Sequence, residues 1–407
     1  MSSDSSPRSP AIVAPLPPAA ARALFATLAR IETGELLVCT PDGARHRFCG
    51  HRPGRRAELT IRDWRAVGRI MLSGDIGLAE AYRDGQVDSP HWSTLMALAL
   101  ANEAAFSRPI HGRLLGTLAY WLRHLRRANT RRGSRRNIHA HYDLGNAFYR
   151  LWLDSTMSYS SALFDGQPQR SLASAQEAKY ERILARLDPK PGATLLEIGC
   201  GWGGFAEYAI RTRGVQLTGI TLSTEQLDYA RARLARAGLA GSARFELADY
   251  RDVGGRYDHV VSIEMIEAVG ERWWPTYFAV LRERLAPGGR AMVQGITIAD
   301  EHFPRYRRGT DFIQQYIFPG GMLPSPSALA RAIAAAGLEL ADRFAFGHDY
   351  AETLRRWARA FEAALPRVRS LGFDEDFVRL WRFYLAYCEA GFTAGRTDVW
   401  QLEIRRP

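Results

Sequence analysis

Through the first quarter of the chain, apolar residues recur at spacings of three and four. "AAARALFATLARI" (19–31), "WRAVGRIMLSG" (64–74) and "HWSTLMALALANEAAF" (91–106) carry this rhythm and predict amphipathic helices. Between the first two, "GELLVCTPDGARHRFCG" (34–50) alternates and turns at Pro41-Asp42-Gly43, the pattern of a small hairpin. From about residue 175 the rhythm changes. Short apolar runs, "ATLLEIG", "VQLTGIT", "ARFELAD", "YDHVVSIEM" and "RAMVQGIT", alternate with amphipathic stretches such as "FAEYAIRTRG", "EQLDYARARLARAG" and "YFAVLRERLAPGG". Near-continuous apolar strands separated by helices predict a parallel sheet covered on both faces, a doubly wound α/β domain.

These patterns divide the chain into four parts. Residues 1–20, rich in serine and proline, lack the basic start and apolar centre of a secretory signal and are expected to be a disordered tail. A mostly helical N-terminal domain spans 21–125, a basic linker 126–136, and the α/β domain 137–407. No stretch offers about 18 uninterrupted apolar residues, so no membrane-spanning helix is expected.

Composition adds a charge and removes a metal. The formal net charge is +11, which calls for an anionic partner. The four cysteines, Cys39, Cys49, Cys200 and Cys388, have neither the spacing of a zinc site nor the density of a disulfide framework, and fit a reducing cytoplasm. No metal site is expected. The basic charge concentrates in "RHLRRANTRRGSRRN" (123–137), which holds seven arginines and no acid.

The chemistry gathers around "LLEIGCGWGG" (195–204). Gly199, Gly201 and Gly203 sit at the first strand-to-helix turn of the sheet, where the backbone approaches a ligand most closely. The spacing G-x-G-x-G-G departs from the G-x-G-x-x-G of dinucleotide sites, and Glu197 stands where a ligand with a cationic end would be met. S-adenosylmethionine has that shape and charge. After the second strand, Thr221 and Ser223 lead to Gln226 in a capping box, with Gln226 able to face the ligand. After the third, Asp249 is placed to accept the adenine amino hydrogen and Tyr250 to stack.

With these stations in order, the chain resembles the family of cyclopropane-fatty-acyl-phospholipid synthases and mycolic-acid cyclopropane synthases. The resemblance rests on "HYDLGNAFYRLWLDSTMSYSSALF", "LLEIGCGWGGFAEYA", "SIEMIEAVG", "RRGTDFIQQYIFPGGMLPS", "GHDYAETLRRWARAF" and "FYLAYCEAGFTAGRTDVWQL", and extends to "GDIGLAEAYRDGQVDS" (74–89). It implies a class I methyltransferase fold, Rossmann-like, that methylates the cis double bond of phospholipid acyl chains. A carbocation forms, and proton loss closes a cyclopropane. Cofactor contacts carry over onto Tyr159 and Ser160, 195–203, 221–226, and Asp249 with Tyr250. The implied base is a bicarbonate held near Glu267 and Tyr350, with Ile296 as a backbone contact and Cys388 at a catalytic position. Glu264, three residues before Glu267, is the alternative acid.

The general chemistry agrees. An alkene is a poor nucleophile, so it must be held against the sulfonium in a water-free pocket, and aromatic faces stabilise the cation. Tyr142, Phe148, Tyr149, Trp152, Tyr159, Phe164, Phe312, Tyr316 and Phe318 are the candidates. Three positions depart from the family: Ser161 replaces a cysteine, Ala268 a histidine, and Gln294 the bicarbonate-contacting histidine. Serine and glutamine still donate hydrogen bonds to an anion. Loss of a different proton would leave an exocyclic methylene, the precursor of a methyl branch.

Other classes fit less well. Amino-methylating nucleic-acid enzymes place Asn or Asp before Pro-Pro after the fourth strand, where this chain reads "SIEMIEAVG", so no nucleic acid is expected. A small-molecule methyltransferase needs neither the arginine run nor the N-terminal domain. A lipid binder without catalysis would not need the cofactor stations. The expected partner is unsaturated acyl chain in an anionic membrane surface, met peripherally from the cytoplasmic side, and a homodimer stays open.

The arginine run generates a prediction. Replacing Arg126, Arg127, Arg131, Arg132, Arg135 and Arg136 with glutamine should weaken sedimentation with anionic vesicles, and wild-type binding should fall as salt rises. Equal sedimentation of both proteins would make the run a solvated linker.

Overall fold

A computed structural model describes residues 19–110, 120, 129–130, 133 and 144–407. Most of the N-terminal tail, the arginine run and Tyr142 lie outside the described residues.

The N-terminal segment has helices and, beyond expectation, a four-stranded sheet. Helix α1 (Ala19–Leu28) leads into β1 (Thr33–Cys39), which pairs antiparallel with β2 (Arg45–Cys49) through a turn at Gly43, φ +83°. β3 (Arg52–Ile61) then runs parallel to β1, and β4 (Val87–Asp88) closes the order β2-β1-β3-β4. Helices remain the larger part of this segment, and the strand that escaped the pattern is β3. Its first half, "RPGRR", is exposed, and alternating burial begins only near Leu59 and Ile61, so the strand carries little apolar period. Helix α2 (Arg65–Arg83) is broken at Gly74, φ 58° and ψ −125°, a conformation a Cβ would disfavour. α3 (Trp92–Ala101) and α4 (Glu103–Ile110) complete the segment.

The rest of the chain builds a seven-stranded sheet. β5 (Thr194–Ile198), β6 (Gln216–Thr221), β7 (Ala243–Leu247), β8 (Tyr257–Ile263) and β9 (Leu285–Ile298) are parallel. β10 (Glu339–Ala345) and β11 (Thr397–Arg405) join at the far side, β11 antiparallel to both β9 and β10, giving the order β10-β11-β9-β8-β5-β6-β7. The order reverses between β5 and β8, so the crevice beyond their carboxyl ends is where a ligand is received. Four of the five β5 residues are buried, as a strand covered on both faces requires.

Helices set the walls of that crevice. α5 (Gly145–Tyr149) precedes α6 (Leu172–Leu187), whose cap Ser171 accepts from Ser174 N–H. α7 (Gly204–Arg213) follows β5, and α8 (Thr224–Arg236) follows β6. α9 (Trp274–Arg284) precedes β9, α10 (Phe303–Tyr306) and α11 (Pro326–Ala335) follow it, and α12 (Gly347–Ala363), α13 (Leu365–Ser370) and α14 (Glu375–Thr393) lie between β10 and β11. The N-terminal segment shares a core with these last helices. Phe383 of α14 lies 5.4 Å from the Trp92 ring, which lies 4.4 Å from Tyr82.

Candidate active site

The turn after β5 forms the floor of a cavity of about 220 Å3 at the carboxyl edge of the sheet. Gly199, Gly201 and Gly203 have φ of +84°, +52° and +78°. A Cβ on Gly203 would stand 3.1 Å from Ala230 Cβ, so glycine there lets α7 and α8 close together. Gly199 and Gly201 line the cavity, as do Tyr159, Ser160, Glu197, Thr221, Gln226 and Tyr250. Glu197 is buried, and its Oε2 has no partner among the described residues. The Tyr250 hydroxyl is likewise unsatisfied. Two orphaned polar groups facing one cavity lined by a glycine turn fit a bound S-adenosylmethionine, with Glu197 toward its cationic end.

Two residues expected at the cofactor stand back from the cavity wall. Asp249 does not line the cavity; its two oxygens are engaged by Arg251, Nε at 2.7 Å and Nη2 at 2.6 Å, and the wall there is made by Ala248 and Tyr250. The sequence spacing located the loop but not the direction of the carboxylate. Ser223 caps α8, accepting from Gln226 N–H at 3.3 Å, and stays out of the wall. Thr221 Oγ1 donates to Gln226 Oε1 at 2.8 Å, which fixes that amide.

The second half of the site centres on Glu264. It follows β8 directly with φ +51°, a left-handed conformation that costs a non-glycine residue about 1–3 kcal/mol and is held only where the surroundings demand it. Its Oε1 accepts from Ser161 N–H at 2.8 Å and from Gln294 Nε2 at 2.8 Å; its Oε2 accepts from the Tyr350 hydroxyl at 2.7 Å. Gln294 Oε1 accepts from Gln401 Nε2 at 3.0 Å, and Gln401 Oε1 from Arg182 at 2.7 Å, so the amide of Gln294 has its nitrogen turned to the carboxylate. Ser161 contributes only its N–H, because its hydroxyl donates to Ala162 O.

This arrangement reassigns the residues grouped around a bicarbonate. Ser161, Gln294 and Tyr350 all serve Glu264. Glu267 is held separately, its Oε1 accepting from Ile296 N–H while the buried Oε2 has no partner among the described residues. An added anion would find those three donors taken and the charge of Glu264 beside it. The residues present do not fit bicarbonate.

The two acids differ in charge. Burial raises Glu264, against the pull of Lys179, Tyr350, Ser161 N–H and Gln294. Burial and then the charge of Glu264 push Glu267 up to about 8. With three donors on one and a single N–H on the other, the proton resides on Glu267 near neutral pH, and Glu264 carries the charge. Tyr350 is raised by burial and by Glu264, so it remains a donor.

Cys388 stands outside the cavity wall, and burial raises its thiol, so it is a neutral thiol here. Of the nine aromatic candidates, Tyr159 and Phe318 line the cavity; Phe148, Tyr149 and Trp152 pack in the core. Sequence reasoning missed Asn129, whose Nδ2 donates to Gly320 O at 2.7 Å at the cavity wall, and the fully buried Lys179. That it is one of two lysines in an otherwise arginine-based chain was the available signal for the latter.

The comparisons place this geometry in a family. A sequence model described as mycolic acid cyclopropane synthetase matches residues 129–402. The chain belongs to this family. It is 41% identical over 355 residues to the tuberculostearic acid methyltransferase UfaA1 of Mycobacterium tuberculosis, covering 83% of this chain and 80% of that one. It is 32% identical over 359 residues to the cyclopropane-fatty-acyl-phospholipid synthase of Escherichia coli K12, covering 86% and 88%. The solved structure of mycolic acid cyclopropane synthase CmaA1 complexed with SAH and CTAB matches with a TM-score of 0.63 at 31% identity, over 67% of this chain and 98% of that one. The fold is that of class I methyltransferases, and the protein is an S-adenosylmethionine-dependent methyltransferase of the lipid-cyclopropanating and lipid-methylating kind.

The protonation of Glu267 predicts a pH dependence of stability. Its value rises from 4.5 unfolded to about 8 folded, so the folded protein holds a proton the unfolded chain has released. That contribution is complete below pH 4.5 and is lost as the pH rises through about 8. Glu267→Gln lacks the dependence, so across this window its Tm should fall less than that of wild type. Parallel Tm curves would contradict the assignment.

Proposed function

We propose that this enzyme methylates the cis double bond of unsaturated acyl chains in membrane phospholipids, with Glu264 as the base, and leaves a methylene-branched chain. The observation that carries the reading is the cage of Ser161, Gln294 and Tyr350 around a carboxylate of the protein itself. Bound on the glycine turn, S-adenosylmethionine supplies an electrophilic methyl group. The alkene π electrons form the new C–CH3 bond as the methyl–sulfur bond breaks, its electron pair staying on sulfur, which leaves a cation on the neighbouring carbon. Tyr159 and Phe318 line the cavity with aromatic faces that favour such a cation over water.

The fate of the cation depends on the base. Immediate loss of a methyl proton closes the three-membered ring. If a hydride first shifts from the methylated carbon to its neighbour, loss of a methyl proton gives an exocyclic C=CH2. Three hydrogen bonds and the backbone tether fix the Glu264 carboxylate in place and restrict its approach to the new methyl group. This favours the slower path, in which the hydride moves first. The relation to a tuberculostearic acid methyltransferase supports a branched product; the E. coli relative supports the cyclopropane as the second reading. A peripheral position on the inner membrane face accords with the net charge of +11 and with the lack of a long apolar helix among the described residues.

The test is turnover with labelled S-adenosylmethionine and vesicles of cis-unsaturated phospholipid, the fatty acids then being analysed by mass spectrometry. Methylene-branched chains are expected. Glu264→Gln should lower kcat by about 10²-fold or more while cofactor affinity stays within a few-fold, as for loss of a base acting in the transition state. A cyclopropane product, with near-normal Glu264→Gln and inactive Glu267→Gln, would return the base to Glu267.

A further inference from the structure

The chain has two lysines among its 54 basic residues, Lys179 and Lys190. Lys190 is exposed, but Lys179 has no accessible surface. A buried ammonium is costly unless oxygen atoms and opposite charge surround it. Lys179 Nζ donates to Ser160 Oγ at 2.6 Å and to Gln176 Oε1 at 2.5 Å. Gln176 Nε2 in turn donates to Ser160 O at 2.9 Å, so α6 grips Ser160 by both its hydroxyl and its carbonyl. Ser160 lines the cofactor cavity, and the next N–H, that of Ser161, is bonded to Glu264. One residue of α6 thus bears on both halves of the site.

We propose that Lys179 is a positioning residue that keeps Glu264 ionised through its buried positive charge and holds the Ser160–Ser161 segment between cofactor and base. The proposal rests on Glu264 being the base. The charged and titratable groups facing Glu264 are Lys179 from α6, Tyr350 from α12 and Glu267 beyond the end of β8. Those facing Lys179 are Glu264, Asp154 and Glu197, with the Tyr180 ring centroid 4.8 Å from Nζ. Burial pulls Lys179 down to about 8, and the three carboxylates oppose it. It is therefore mostly charged at neutral pH and acts on a carboxylate otherwise held by neutral donors. As a compact point charge, the lysine ammonium meets both oxygens from one atom.

The experiment is the pH profile of kcat for wild type, Lys179→Gln, Lys179→Met and Gln176→Leu. Removing the positive charge disfavours ionised Glu264, so the acidic limb should move to higher pH. A one-unit shift lowers kcat about tenfold on that limb, with recovery as the pH rises. Lys179→Gln keeps an amide within reach of Ser160 and tests the charge alone should Lys179→Met fail to fold. Gln176→Leu loosens the same segment without a change of charge and should lower kcat by one factor at every pH. If Lys179→Gln behaves like Gln176→Leu, with an unmoved limb, the electrostatic role is overturned while the reading of Glu264 stands. If Glu264→Gln retains the wild-type limb, it is the reading of Glu264 that falls.

Discussion

An ionised carboxylate withdrawn from bulk water must be surrounded by donors, and the geometry of this active site follows from meeting that demand at Glu264. No single element can do so. The Ser161 N–H comes from the segment before α6, the Gln294 amide from β9 and the Tyr350 hydroxyl from α12. Glu264 reaches them only by leaving β8 in a left-handed conformation, φ +51°. The support continues outward through Gln401 on β11 and Arg182 on α6. The antiparallel β11, inserted between β9 and β10, has a specific task here: it orients the amide that orients the base.

Beside this cage stands a second glutamate in the opposite protonation state. Like charges close together cannot both persist at low dielectric, so an ionised Glu264 keeps the proton on Glu267. The cofactor half of the site works differently. There the backbone bends at Gly199 and Gly201, and Glu197 and Tyr250 present unsatisfied polar atoms to the cavity. The cage around Glu264 is complete among the described residues, whereas Glu197, Tyr250 and Glu267 have polar atoms left for a ligand to satisfy.

What could be read from the sequence was local. The glycine turn, the Ser223 cap and the strand–helix alternation are each written within about ten residues, and each appears in the structure. β3 escaped because its exposed arginines and proline hide the alternation, and the Asp249 carboxylate turned aside to Arg251, a neighbour whose rotamer no pattern reports. The role of Glu264 was illegible for a plainer reason. Its donors lie 103, 30 and 86 residues away, and only the fold brings them together. Family likeness pointed to Glu267 and Tyr350 as partners; the hydroxyl of Tyr350 instead meets the acid three residues earlier.

The account stands on the protein supplying its own anion in the cage. The most direct measurement is wild-type turnover in buffer stripped of carbon dioxide and bicarbonate under inert gas, repeated after bicarbonate is restored. The account predicts the same rate in both. A rate that collapses in the stripped buffer and returns with bicarbonate would contradict it.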